Sequence, residues 1–379
     1  MTQPQWKLGI HIAGAAVSPQ NKQRLPEDSF CRELCLLGHE YGFHVFVFSP
    51  LHYDSDTGVL QGYQLHGDQW NFGPCPLPDI VYDRCYYQSR TERMRDKTAM
   101  QAMMLRHPWV RLGSQIPGKL EVYRLLLGEP RLAELLPRTV SYRSSSQLLR
   151  WLEREPDGII LKPDAGMQGR GILRIWQGPG GLQIQGRNAA NRPYAYSFGQ
   201  KKQPLSSFSR LIAGRSYLLQ PYLRLTDDQQ RPFDIRVLIQ KNGAGRWSVT
   251  GTAIRIGEPH VLTANLHGGG RAAPAEPFLQ ALLGAEATSG IMEKLHQASC
   301  SAARRLEQHC GRLLELGLDF GLEESGRLWL LEANSKPGRS LFTLLGESAI
   351  ARLSHVRPLQ YARLLCNRSA LYMPQVEAN

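Results

Sequence analysis

The sequence predicts an α/β protein of α+β type, with a small parallel unit in front of two larger lobes. Three stretches lead to that expectation. At the start, KLGIHIAG (7–14) and FHVFVFSP (43–50) have strand character and enclose Phe30, Leu34, Leu37 and Tyr41 at helical spacing. Strand, helix and strand with short links make a parallel unit. In the middle, GIILKPDAGMQGRGILRI (158–175) reads as strand, glycine loop, strand. Near the end, LLELGLDFGLEESGRLWLLEAN (313–334) sets two apolar runs around Ser325-Gly326, a hairpin signal.

Composition narrows the possibilities. The 379 residues suffice for two or three compact units. No stretch approaches the roughly 18 uncharged apolar residues of a membrane span, and residues 1–7 lack the pattern of a secretion signal. No membrane partner is expected. Seven cysteines include no CxxC pair, and Cys31 and Cys35, one helical turn apart, fit helix packing. Reduced thiols and a cytoplasmic location follow as expectations. The net charge of +12 favours an anionic partner such as nucleotide phosphates or an acidic peptide. The basic residues are spread, without a run of five, so no nucleic acid is expected.

Along the chain, Ile80 to Asp83 looks like a third strand of the first unit, and its opening turn lacks GxGxxG. Residues 91–107 read as a helix ended by Pro108. After the break at Ile116-Pro117-Gly118, Lys119 opens a helix, KLEVYRLLLGE. A lysine there opposes the helix dipole, so local structure gives little reason for it. Residues 144–155 form a helix capped by Ser144, Ser145 or Ser146. In the glycine loop, Gly166, Gly169 and Gly171 let the backbone approach phosphate oxygens, and Lys162 projects toward the same place. The spacing is not that of a Walker A loop, so the segment reads as a strand–loop–strand flap. Tyr194, Tyr196 and Phe198 alternate as in a half-buried strand, before a basic loop at Lys201-Lys202. YLLQPYL (217–223) is a strand, and the polar run 226–230 is an exposed linker.

A second lobe begins near Arg231. PFDIRVLIQ puts Asp234 and Arg236 on one strand face, and the next strand, 247–256, carries Arg255. TANLHGGG (263–270) offers successive glycines as an amide nest for an anion. A helix over 287–316 buries a stripe from Ile291 to Leu306, and helices over 341–353 and 355–367 close the chain. Within the hairpin, a two-residue turn at Ser325-Gly326 would set Glu324 opposite Arg327. The register then sets Asp319 opposite Glu332, with Asn334 on their face. Facing carboxylates destabilise a bare hairpin, and an oxygen-only ligand set suits Mg²⁺.

In this order, KLEVYRLL, GIILKPDAGMQGRGI, LLQPYL, FDIRVLIQ, TANLHGGG and LEANSKPGRSLF resemble the ATP-grasp superfamily. In detail they are most similar to its YheC/YheD spore-coat-associated branch. The resemblance implies two lobes clasping ATP behind a small Rossmann-like pre-domain, divided as 1–112, 113–223 and 224–379. It implies ATP and two Mg²⁺ ions as cofactors. Lys119 and Lys162 would hold the phosphates, with Gly166, Gln168, Gly169 and Gly171 in the closing flap. Gln220 and the Leu223 backbone would meet the adenine, and Arg236 the phosphates. Asp319, Glu332 and Asn334 would ligate the metal. Asn265 and the glycines after it would steady the γ-phosphate or an acylphosphate, and Arg255 and Arg339 a substrate carboxylate. Many members have an acidic residue where this chain has Gln220, and no carboxylate is placed for the ribose hydroxyls.

The implied activity is ATP-dependent ligation of a carboxylate to an amine through an acylphosphate. The substrates would be small molecules or peptides, with spore-coat proteins as partners. A phosphotransferase on the same fold and a nucleotide-binding structural protein of the coat are the alternatives.

Overall fold

Three β-sheets organise the chain in the computed structural model, which describes residues 6–14, 25–87, 89–166, 169–188, 191–199, 212, 214–259, 261–264 and 269–372. The first sheet contains β1 (Trp6–His11), β2 (Phe43–Tyr53), β3 (Leu60–His66), β4 (Gln69–Cys75), β5 (Ile80–Asp83) and β6 (Val110–Arg111), with α1 (Asp28–Gly38) and α2 (Arg90–Arg106) between strands. Its order is β4-β3-β2-β1-β5-β6. β2, β1, β5 and β6 run parallel, while β3 and β4 add an antiparallel hairpin. The sheet is therefore mixed where a parallel one was expected. The hairpin hides in the sequence because it contains Gly62 and Pro74. A Cβ at Gly62 would lie 2.5 Å from the Val47 carbonyl oxygen, so glycine permits the close approach of β3 to β2. Pro74 is tolerated on the edge strand.

The second sheet follows α3 (Lys119–Leu127) and α4 (Pro130–Ala133). It comprises β7 (Val140–Ser141), β8 (Ile159–Pro163), β9 (Leu173–Gly178), β10 (Gly181–Arg187), β11 (Pro193–Phe198) and β12 (Tyr217–Pro221), ordered β11-β10-β9-β8-β12-β7 and antiparallel throughout. α5 (Ser145–Leu152) packs Leu148 and Trp151 against Ile159, Ile175 and Leu219. Ser144 caps it, its Oγ accepting from the Gln147 N–H at 3.2 Å. Tyr194 and Tyr196 lie on β11 with ring centroids 5.3 Å apart. The Lys201-Lys202 loop lies outside the described residues.

The third sheet is antiparallel, in the order β15-β14-β13-β16-β17. Its strands are β13 (Phe233–Lys241), β14 (Trp247–Ile256), β15 (Arg271–Pro274), β16 (Glu315–Leu322) and β17 (Leu328–Asn334). α6 (Ala275–Leu283) and α7 (Ala285–Cys310) cover it, and α7 buries Ile291, Leu295, Ala298, Ala302 and Leu306 as its periodicity requires. α7 stops at Cys310 because Gly311 takes φ 78°, leaving residues 315 and 316 to β16 rather than to the helix. The 226–230 run is a tight turn and not an open linker. Asp227 is buried there and accepts from the backbone N–H groups of Gln229 and Arg231 at 3.0 and 2.9 Å.

After α8 (Ser340–Leu344), one helix, α9 (Ser348–Tyr372), replaces the two expected, with Pro358 inside it. A proline removes the bond to the carbonyl four residues back, here Ser354. That oxygen accepts instead from Gln240 Nε2 (2.9 Å) and Arg339 Nε (3.2 Å). Beyond Pro358, α9 places Leu359, Ala362 and Leu365 in the core of the first sheet beside Leu8, Ile10 and Leu34. Among the described residues, no helix is long and apolar enough to cross a membrane.

Where the first and third sheets meet, a buried charge network joins them. Glu315 accepts from Tyr82 Oη (2.5 Å), Arg84 Nη1 (3.1 Å), Gln240 Nε2 (2.9 Å) and Arg339. Removing the carboxylate leaves two buried guanidiniums short of charge. Glu315→Ala should lower the unfolding free energy by about 3–5 kcal/mol, read as a lower urea midpoint. A midpoint unchanged from wild type would show that the network contributes little.

Candidate functional site

Two local features set the hairpin that carries the acidic residues. Its turn is one residue longer than expected. Glu323 pairs with Arg327 (N–H to O, 3.0 Å) around Glu324-Ser325-Gly326, and Gly326 takes φ 80°. Three-residue hairpins of this kind place glycine at the left-handed position. By itself this slips the register, so that Phe320 pairs with Leu330. A bulge then restores it: Leu331 is the extra residue, and Asp319 faces Glu332 while Gly317 faces Asn334. The expected pairing of Asp319 with Glu332 thus arises by a different route, through two offsetting irregularities.

The bulge also reaches the second sheet. Lys162 Nζ donates to the Leu331 carbonyl at 3.2 Å. Lys119 Nζ, at the first turn of α3, lies 3.5 Å from Glu332 Oε1. Asp164 ties these elements together, because its Oδ1 accepts from the Leu120 N–H at 2.9 Å and so fixes the N-terminus of α3 to the chain leaving β8. This carboxylate was not foreseen, although a group two residues beyond Lys162 at the mouth of the glycine loop was a discoverable signal. Burial, with the charge of Lys119 beside it, pushes the Lys162 pKa down to about 8, even though Glu332 and Asp319 pull the other way.

On the third sheet, four charges share one face. Asp234 pairs with Arg255, and Arg236 with Asp319, across neighbouring strands. Arg255 Nε donates to Asp234 at 2.6 Å and its Nη2 lies 3.0 Å from Asp319 Oδ2. Arg236 Nε lies 2.5 Å from Asp319 Oδ1. Burial disfavours the charge on Asp319, but Arg236 and Arg255 outweigh it and hold the carboxyl below its ordinary range. Asp234 moves the other way, raised by burial with the Asp319 charge adding to it.

These groups line a cleft of about 1970 Å³ between the three sheets. Small-molecule pockets reach about 1,000 Å³, so the cleft has room for a nucleotide and a second substrate. Gly166, Gly169, Gln220 and Leu223 also line it. Gly171 stands at the foot of β9 with φ 78°, and a Cβ there would come within 3.1 Å of Pro163. Gln220 Nε2 donates to Thr139 Oγ1 at 2.6 Å, which leaves the amide oxygen uncommitted by that bond. Arg255 and Arg339, expected to meet a substrate carboxylate, line the cleft and are also engaged within the protein. Arg255 is held by Asp234 and Asp319, and Arg339 by Glu315, Tyr82 Oη (2.9 Å) and two backbone carbonyls. Gln168 and Asn265 lie outside the described residues.

The donor set of Asp319, Glu332 and Asn334 is all oxygen and faces Lys119 and Lys162, which suits a hard cation shared with phosphate oxygens. Holding Lys162 charged in its buried place costs stability at neutral pH. The folded pKa lies below the unfolded value, so that cost is full below pH 8 and vanishes as pH rises to about 10.5. Lys162→Met should therefore stabilise the unliganded protein at pH 7 by about 1–3 kcal/mol, with the gain shrinking between pH 8 and 10.5. Denaturant curves at pH 7 and pH 10 test this, and a destabilised variant at pH 7 would refute it.

Comparisons with known proteins show the family and the likeness of fold. A family model described as YheC/D like ATP-grasp matches residues 110–365. The endospore coat-associated protein YheC of Bacillus subtilis (strain 168) is 29% identical over 326 residues, covering 83% of this chain and 86% of YheC. YheD of the same organism is 29% identical over 373 residues, covering 96% of this chain and 79% of YheD. Among solved structures, D-cycloserine synthetase DcsG superposes with a TM-score of 0.51 at 13% identity, covering 94% of this chain and 99% of DcsG. Macrocyclase MdnC from Microcystis aeruginosa, bound with precursor peptide MdnA, gives 0.52 at 13% identity, covering 92% and 98%. The two structures establish the likeness of fold. The family model spans both lobes and every charged cleft residue described above, and on that ground the chain belongs to the YheC/D-like ATP-grasp family.

Proposed function

We propose that the protein is an ATP-dependent carboxylate–amine ligase acting on a peptide or protein substrate, in the cytoplasm and in connection with the spore coat. The observation that carries the reading is the cleft itself. Lys119, Lys162 and Arg236 surround the facing pair Asp319 and Glu332 in a space larger than a nucleotide needs. The coat connection rests on the relatives YheC and YheD. A peptide acceptor is in keeping with the cleft volume and with MdnC, a same-fold macrocyclase bound with a precursor peptide.

In this reading Lys119, Lys162 and Arg236 bind the phosphates, and the 166–171 loop closes over them to exclude water. Asp319, Glu332 and Asn334 would hold Mg²⁺, whose charge when bound screens the transferring phosphoryl group. A substrate carboxylate oxygen attacks the γ-phosphorus, and the bond to the β-phosphate oxygen breaks to release ADP. An amine then attacks the acyl carbon of the acylphosphate, phosphate leaves, and the nitrogen loses a proton. Gln220, whose Nε2 is turned to Thr139, would accept through its amide oxygen from the adenine amino group. No covalent enzyme intermediate is needed.

ADP should accumulate over many turnovers only when ATP, Mg²⁺, an acid and an amine are all supplied, and the product mass should be that of the amide. Glu332→Ala should reduce turnover about 100-fold or more. A phosphorylated end product that accumulates over many turnovers without amine would establish phosphotransfer instead, and unchanged turnover in Glu332→Ala would overturn the metal assignment.

Nucleotide binding should also take up protons at alkaline pH. At pH 8.5 the unliganded Lys162, with its pKa near 8, is mostly neutral, and phosphate oxygens favour its charged form. Affinity should fall as pH rises through 8. Calorimetry in two buffers of different ionisation enthalpy should show uptake in wild type and none in Lys162→Arg, since arginine stays charged. Equal uptake in both would remove Lys162 from the phosphate site.

A further inference from the structure

We propose a zinc site formed by His11, Cys85 and Asp96 at the carboxyl ends of β1 and β5, separate from the carboxylates of the third sheet. His11 is the last residue of β1 and pairs with Asp83 of β5, and Cys85 follows two residues later. The strand order passes from β2 and β1 to β5 and β6 here, and open parallel sheets place ligand sites outside the strand ends at such a reversal. The nitrogen, sulfur and oxygen atoms of the three residues lie within 4.8 Å of one another, and all three residues are buried. Nitrogen, thiolate and carboxylate are the ligand types of zinc, and three protein ligands leave a fourth position open.

Core packing does not account for the arrangement. α2 is largely exposed, and Asp96 and Met103 are its buried residues. A buried carboxylate on such a helix is costly unless its charge is met. Asp96 is met in the protein by His11 Nε2 at 3.1 Å and by Tyr87 Oη at 2.7 Å, while Lys336, the nearby ammonium, is committed to Asp83 Oδ1 and the Cys85 carbonyl, each at 2.7 Å. A divalent cation would balance Asp96 and a Cys85 thiolate together. His11 Nε2 and Asp96 Oδ1 are hydrogen-bonded at 3.1 Å, a separation near the roughly 3.3 Å edge of a tetrahedron with bonds of about 2.0 Å, so zinc would take the place of the shared proton with little movement of the two side chains.

The surrounding groups support the ligands as outer partners do in metal sites. Asp83 Oδ1 accepts from the Cys85 N–H at 2.8 Å, fixing the ligand's backbone, and lies 4.0 Å from His11 Nδ1, beyond hydrogen-bond distance. Tyr87 Oη donates to Asp96 Oδ2 at 2.7 Å. Cys85 Sγ donates to the His11 carbonyl at 3.6 Å, and zinc binding would break this contact and release the thiol proton. Of the three ligand residues, Cys85 borders the cleft, beside Tyr86 and Tyr87.

The test uses the full chain purified without chelator and needs no nucleotide. Stoichiometric zinc should be found by plasma mass spectrometry, and its removal by a chelator should lower Tm. Cobalt added to the stripped protein should give a near-ultraviolet thiolate charge-transfer band. That band should persist in Glu332→Ala and disappear in Cys85→Ser. Asp83→Asn should weaken zinc binding about 10- to 100-fold. The proposal is overturned if stripped wild type takes up no zinc at micromolar concentration and its Tm is unchanged, or if the cobalt band survives in Cys85→Ser.

Discussion

One extra residue in β17 governs what faces the cleft. Without the Leu331 bulge, the three-residue turn would carry Asp319 past Glu332, and a one-residue slip sends side chains to the opposite face of a sheet. The bulge restores the facing pair and does a second thing. A bulge leaves its extra residue out of the ladder, and the Leu331 carbonyl is the group to which Lys162 donates. A single irregularity thus sets the carboxylates of one lobe and anchors the lysine of the other.

Charge balance explains much of the remaining geometry. Asp319 is shared by Arg236 and Arg255, Glu332 is approached by Lys119, and Lys162 is held near a carbonyl with its charge disfavoured by burial. Each contact is tolerable in the unliganded protein and none neutralises the cleft as a whole. A polyanion with a cation would enter a space already furnished with both signs. Such preorganisation is the larger part of catalysis in phosphoryl transfer.

The first sheet is bound into this site from behind. Residues 83–86 hold the turn that follows Asn334: Lys336 Nζ reaches Asp83, Tyr86 Oη donates to the Lys336 carbonyl at 2.7 Å, and Arg84 Nη2 to the Pro337 carbonyl at 3.2 Å. Glu315, at the start of β16, gathers Arg84 and Arg339 from either side. Together with α9 in the first-sheet core, these contacts make the amino-terminal unit a wall of the cleft.

The sequence by itself determined the elements whose signals are local. Alternation and glycine spacing marked β8, the loop after it and β9, the apolar stripe marked α7, and the serine run 144–146 marked the start of α5, with the structure choosing Ser144 as its cap. Lys162, Asp319 and Glu332 stood out because each lies at the end or on one face of a recognisable element, whereas Lys119 and Arg236 were assigned to phosphate through the family resemblance. Tertiary structure decided what depends on partners distant in the chain. Gly62 and Pro74 concealed β3 and β4, since their fitness for strands depends on a neighbour and an edge that local sequence does not reveal. The continuity of α9 through Pro358 depends on Gln240 and Arg339 taking the Ser354 carbonyl. The commitment of Arg339 to Glu315 depends on contact between two sheets. The His11–Cys85–Asp96 cluster arises from residues 74 and 85 positions apart, joined only because parallel pairing aligns β1 with β5 and α2 folds back across their ends.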